Sequence, residues 1–191
     1  FITTMKEVFS EEEAQSFILE MKKKYWDATH NCSAYQIGAG GRYQRSSDDG
    51  APSGTAGKPM LEVLKKAEIT NTAVVVTRYF GGIKLGAGGL VRAYTHAVAL
   101  AIKEGPIVTY IPHQVIAVTF DYGLINTLEN LWKDTEVVIA DRQFTDIVTF
   151  VLHIPLENVS TRHEEIINIT GDTALWEEKE QITIPVFVEK A

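Results

Sequence analysis

Val74-Val75-Val76-Thr77-Arg78-Tyr79-Phe80-Gly81-Gly82-Ile83-Lys84-Leu85-Gly86-Ala87-Gly88-Gly89-Leu90-Val91-Arg92-Ala93-Tyr94 sets three textures side by side. With Ala73 in front, the valines form a short unbroken apolar run, the composition of a strand covered on both faces. Five glycines follow between positions 81 and 89. Leu90 to Ile102 is then nearly all apolar, broken by Arg92, Thr95 and His96, and reads as a helix that Gly105-Pro106 stops. A buried strand feeding a helix through a glycine loop gives the first half of the chain both strand and helix elements.

Glycine is costly in ordered backbone and persists where φ is positive or a close approach is needed. Backbone N–H groups gathered at a helix start form a ready anion site. A second stretch has the same form: Asp48-Asp49-Gly50-Ala51-Pro52-Ser53-Gly54-Thr55-Ala56-Gly57-Lys58-Pro59. Pro59 fits a first helical turn, and Met60, Leu61 and Leu64 supply the apolar face behind it. Two such loops surrounded by cations point to phosphate groups. The candidate phosphate or nucleic-acid contacts are Lys58, Arg78, Tyr79, Lys84, Gly86, Gly88, Gly89 and Arg92. Arg78 closes the strand, where its charge should emerge. Tyr79 and Phe80 offer rings for base stacking, and Arg92 and His96 share a helix face.

Elsewhere in the first half, Ser10-Glu11-Glu12-Glu13 has capping-box form, followed by Ala14, Phe17, Ile18 and Met21 at helical spacing. Lys22, Lys23 and Lys24 sit where that helix ends. Cys32, Ala34 and Ile37 alternate in an extended segment from His30. Beyond Val108–Pro112 the pattern changes. Val115–Phe120 reads as a strand, and Leu124, Leu128, Leu131 and Trp132 fall on one helix face. Val137–Ala140 and Ile147–Ile154 are strands joined by Phe144-Thr145-Asp146. Thr161-Arg162-His163-Glu164 caps a helix carrying Ile166 and Ile167. Ile182–Val188 is a last strand, placed at an edge by Pro185. Strand-helix-strand-strand-helix-strand is the ferredoxin-like unit. The expected organisation is α+β in two domains, 1–110 and 111–191.

Charge divides the same way. The net charge is −7, yet residues 1–110 hold 13 Lys/Arg against 11 Asp/Glu, and residues 111–191 hold 5 against 14. Between 42 and 92 eight basic residues face four acidic ones. Nucleic acid prefers the basic segment, which leaves the acidic second domain for a protein partner. No apolar run reaches the length of a membrane span. The single Cys32 suits a reducing compartment, so a cytoplasmic location is expected.

Other chemistries fit less well. A nucleotide-binding P-loop would need glycine where Pro52 stands and a hydroxyl where Pro59 stands. The dinucleotide pattern fails because Gly86-Ala87-Gly88 is followed by Val91. His30 and Cys32 are placed on opposite faces of their strand, and the remaining histidines are scattered, so no metal site and no cofactor is expected. Asp48-Asp49 reads as a turn starter rather than a magnesium anchor. Cys32, Ser53 and Thr55 lack a base placed near them by sequence, so no catalytic residue is assigned. His30, Cys32, Asp48, Asp49, Ser53 and Thr55 are kept as a secondary candidate set.

The two glycine loops, together with Ala28-Thr29-His30-Asn31-Cys32-Ser33-Ala34-Tyr35, resemble the YigZ/IMPACT family. The chain departs from that pattern at Ala51, where the family usually has Glu, and at Ser33, where it usually has Tyr. The resemblance implies a first domain like a ribosomal-protein domain and domain IV of elongation factor G. The second domain would then be ferredoxin-like, as in domain V of that factor. It also implies a role near translation, since eukaryotic relatives restrain an amino-acid-starvation kinase. The expected partner is RNA or the ribosome, met by the basic glycine-rich face of the first domain; the alternative is a protein or enzyme that binds a phosphorylated metabolite or nucleotide at the same loops.

Overall fold

In the computed structural model, which describes residues 1–188, the backbone divides into two compact units, Phe1–Pro106 and a second from Ile107 onward. The first contains β1 (Ile2–Glu7), α1 (Glu11–Lys24), β2 (His30–Ile37), β3 (Tyr43–Ser47), α2 (Gly57–Lys66), β4 (Thr72–Arg78) and α3 (Gly86–Glu104). Its strands form one antiparallel sheet in the order β1-β4-β2-β3. The valine run is β4, and the alternation of a strand explains why it is continuous. Val74 and Val76 join Cys32 and Ala34 under α2 and α3, against Met60, Leu64, Leu90, Tyr94 and Val98. Ala73 and Val75 face the other way, onto Phe17 and Met21 of α1. The first unit is thus three layers, with helices on both sides of the sheet.

Local sequence explains the ends of these elements. Ser10 caps α1 by accepting from the Glu13 amide at 3.1 Å, while the Glu13 carboxylate accepts from the Phe9 amide at 2.8 Å. The capping box therefore reaches one residue further back than the sequence pattern states. Ile37 lies on the α1 side with Tyr35, opposite Cys32 and Ala34, so β2 is buried on both faces. The strands β1 and β3 carry no sequence signal strong enough to mark them. Both lie at sheet edges, and β3 (Tyr-Gln-Arg-Ser-Ser) is exposed along its whole length. Gly57 needs the absence of a side chain. A Cβ there would lie 2.6 Å from the Ser47 backbone nitrogen, because α2 begins against the end of β3.

The second unit contains β5 (Val108–Phe120), α4 (Ile125–Trp132), β6 (Val138–Phe144), β7 (Val148–Pro155), α5 (Val159–Thr170) and β8 (Leu175–Phe187). The antiparallel order β6-β7-β5-β8 is that of the ferredoxin-like fold. Ile116, Val118, Phe120, Phe150, Leu152 and Ile154 pack with Leu128, Trp132 and Ile166 in its core. Four of its elements differ from the sequence expectation. β5 starts at Val108 and runs through Val108–Pro112. β6 continues to Phe144 past a bulge between Ile139 and Asp141, so the connection is Thr145-Asp146-Ile147. β8 starts at Leu175, paired with Thr119, and Glu177-Glu178-Lys179-Glu180 within it is an exposed edge segment with no apolar alternation to mark it. Pro185 does lie on an edge strand. The helix α5 starts at Val159 with Asn158 as its N-cap, so Thr161 is interior rather than capping.

Candidate functional site

The register of the first sheet brings the distinctive segments to one end. Ile2 pairs with Thr77, His30 with Arg78, and Ser33 with Ser47. The turn entering β2, the loop leaving β3 and the loop leaving β4 therefore meet there, with the starts of α2 and α3.

The two glycine loops differ in what their amides do. In the first, the Asp48 carboxylate accepts from the amides of Gly54 (2.8 Å), Ala56 (3.0 Å) and Gly57 (2.8 Å). Burial pushes the Asp48 carboxyl up, but these three bonds outweigh it and hold the group below its ordinary 3.8. The start of α2 thus already holds an anion, supplied by the chain itself. This corrects the reading of the first loop as an open phosphate cradle. Lys58 is exposed beside it, Ser53 is exposed, and Thr55 is buried with its hydroxyl donating to the Pro52 carbonyl at 2.6 Å.

The secondary candidates collect around the same loop. Asp49, at φ +47°, accepts from Lys22 Nζ and from the Asn31 amide at 2.6 Å, while its carbonyl oxygen lies 2.9 Å from His30 Nδ1. Cys32 donates to the Asp48 carbonyl oxygen at 3.0 Å and lies 3.2 Å from the Tyr94 hydroxyl. His30 and Cys32 therefore reach the same loop from the same strand face. The expectation of opposite faces is wrong, since residues two apart in a strand share a face. Burial pushes the Cys32 thiol up to about 11, against the Tyr94 hydrogen bond that lowers it. Such a thiol is a packed hydrogen-bonding group and not a nucleophile at neutral pH. Among the described residues no His, Cys, Asp and Glu cluster could hold a metal ion.

Arg78 does not emerge at the strand end. It is 8% exposed, with its guanidinium 5.9 Å from the ring centroids of both Phe1 and Phe80. Its role is to support the loop from beneath, which removes it from the solvent-facing cations. The second loop has the opposite character. Residues 79–88 are all exposed, including Tyr79, Phe80, Ile83, Lys84 and Leu85. No side chain caps α3, so the amides of Gly86, Ala87 and Gly88 at its start have no intrahelical acceptor. Gly82 and Gly86 have φ of +88° and +68°. A Cβ on Gly88 would meet Arg92 Nη1 at 3.9 Å, an ordinary contact, and one on Gly89 would approach the Leu85 Cβ at 3.0 Å. Arg92 and His96 are exposed on α3 and line an open groove of about 650 Å³ with Val63 and Ala99.

One neighbour of this loop went unnoticed in the sequence. Trp26, in the turn between α1 and β2, is 82% exposed. Its turn is tied to the second loop, because Tyr79 donates to Asp27 at 2.9 Å and the Phe80 amide donates to the Thr29 hydroxyl at 3.0 Å. Lys23 and Lys24, immediately before it, are exposed as well. Their position at a helix end conceals that they lead into the turn tied to this loop.

The Impact N-terminal domain model matches residues 1–102, which contain this site. The chain belongs to the IMPACT family. A domain of unknown function, DUF1949, matches residues 118–173. IMPACT family member YvyE of Bacillus subtilis is 41% identical over 90% of this chain and 79% of its own. YigZ of Escherichia coli is 33% identical over 84% of this chain and 79% of its own. A Saccharomyces cerevisiae IMPACT homolog matches 45% of this chain at 36% identity, and that match covers 34% of the homolog. A crystal structure described as that of a hypothetical protein aligns with 93% of the chain and 87% of its own, with 27% identity and a TM-score of 0.52. No helix among the described residues is long and apolar enough to cross a membrane.

Proposed function

We propose that this IMPACT family member is a translation-associated protein that binds RNA, free or within the ribosome, through the second glycine loop of its first unit. The supporting observation is the exposed run 79–88, which leads into the uncapped start of α3 beside Lys84 and Arg92. Unpaired amides and cations attract phosphate oxygens, and the neighbouring rings suit bases. Lys58 contributes charge from α2, while Arg78 contributes structure. The acidic second unit repels nucleic acid and is assigned to a protein partner.

Fluorescence anisotropy with a structured RNA, titrated from about 50 to about 200 mM salt, tests this reading. Affinity should fall steeply with salt, and Lys84→Ala and Arg92→Ala should each reduce the slope by about one. Binding that is absent, or indifferent to salt, in a folded protein would sink the proposal. The same unpaired amides suit a phosphorylated metabolite as a second reading. A midpoint raised by phosphorylated metabolites, and not by polyanions, would favour it.

A further inference from the structure

We infer that the RNA bound at this face is single-stranded, and that Trp26 is the platform on which one of its bases stacks. The inference rests on the RNA-binding reading above and names its substrate class. Tryptophans are highly buried on average: here Trp132 is 2% exposed, and Trp176 is half-buried against the core of the second unit. Trp26, 82% exposed, presents its whole indole to water.

The turn that carries Trp26 is not loose. The Tyr25 carbonyl accepts from the Ala28 amide and from Asn31 Nδ2, both at 3.1 Å. Asp27 accepts from the Tyr79 hydroxyl, the Thr29 amide donates to the Arg78 carbonyl at 2.9 Å, and the Thr29 hydroxyl accepts from the Phe80 amide. Five hydrogen bonds thus brace the turn on both sides of a side chain that is 82% exposed. Three of them run to the residues that open the second glycine loop. The exposed rings of Trp26, Tyr79 and Phe80 therefore belong to one braced surface. A braced backbone lowers the ordering cost when a flat ligand lands on these rings.

Charge decides the occupant. Lys23 and Lys24 precede Trp26, Lys84 lies in the loop, and the only carboxylate in the turn, Asp27, is engaged by Tyr79. A polyanion with exposed aromatic faces fits cations interleaved with rings, and unpaired RNA is such a polyanion. A duplex keeps its bases stacked inside and offers only phosphate and sugar, which would leave the indole without a function.

The test uses the full chain, a single-stranded RNA of about 12 nucleotides without self-complementarity, and the duplex made from it. Single-stranded RNA should bind about tenfold or more tightly than the duplex and should quench a tryptophan emission that Trp26→Phe removes. Trp26→Ala should weaken the single strand about tenfold and leave duplex affinity within about twofold. An unchanged melting temperature confirms that the variant is folded, as its surface position requires. Trp26→Phe should retain most of the affinity, because a phenyl ring still stacks. Equal affinity for strand and duplex, or full affinity in Trp26→Ala, would overturn the inference while leaving RNA binding itself standing. Quenching by anionic phospholipid vesicles in place of RNA would also overturn it. No binding of either RNA would remove the broader proposal as well.

Discussion

The loops at 48–58 and 78–89 have the same sequence grammar: glycines, a nearby cation, and a helix immediately after. They do opposite things. In the first, Asp48 fills the ring of amides before any ligand could, and Gly57 lets α2 press onto β3. In the second, the helix start is uncapped and ten successive residues meet solvent. The difference lies in one carboxylate. A glycine-rich helix start indicates where an anion is welcome, and the surrounding sequence decides whether the anion comes from inside.

The contrast can be broken most sharply at Gly57. Its replacement by Ala should cost more than about 3 kcal/mol, because backbone rather than a movable side chain stands 2.6 Å away. Chemical denaturation of the variant should show the first unit lost, and wild-type stability would mean that the packing described for the first loop is wrong. Next in size is the reactivity of Cys32, which touches the Asp48 carbonyl. With its thiol raised from 9.0 to about 11, alkylation at pH 8 should run about a hundredfold slower in the native protein than after denaturation. Rapid modification of the folded protein would contradict a closed first loop.

Asp48→Ala should cost about 2 kcal/mol through three orphaned amides, and Asp48→Asn about half of that. The sign with pH follows from the lowered native pKa. The stabilisation by Asp48 is complete above 3.8, the unfolded value, and is lost as pH falls through the lower native value. Acid titration of the wild type against Asp48→Ala should show the two curves converging there. Curves that stay parallel down to the lowest pH would remove the internal-anion account. The smallest effect belongs to the second loop. Gly88→Ala, at a helical position where the added methyl meets only Arg92 Nη1 at 3.9 Å, should change stability by less than about 1 kcal/mol and in the favourable direction. A large loss there would mean that the second loop is packed after all.

Much of the architecture was legible because burial imprints period on sequence. The valine run, the Ser10 cap and the ferredoxin-like order of the second unit all follow from local pattern. The edge elements β1 and β3 and the first half of β8 were not legible, since an exposed edge strand needs no apolar alternation. For the candidate site, the sequence located the loops and misjudged their contents. Asp48 reads locally as a turn residue, and only the fold brings it under three amides at positions 54, 56 and 57. Arg78 looks like a surface charge at a strand end until Phe1 and Phe80 are seen against it. Trp26 carries no motif at all; its isolation from the core is a fact of three dimensions.

One consequence follows from β4 having a core on each side. Because Val74 and Val76 belong to one apolar cluster and Ala73 and Val75 to the other, neither helical layer can detach without exposing a strand that the second layer also requires. The first unit should therefore melt as a single cooperative block, with the amides of 74–76 the last to exchange with deuterated solvent.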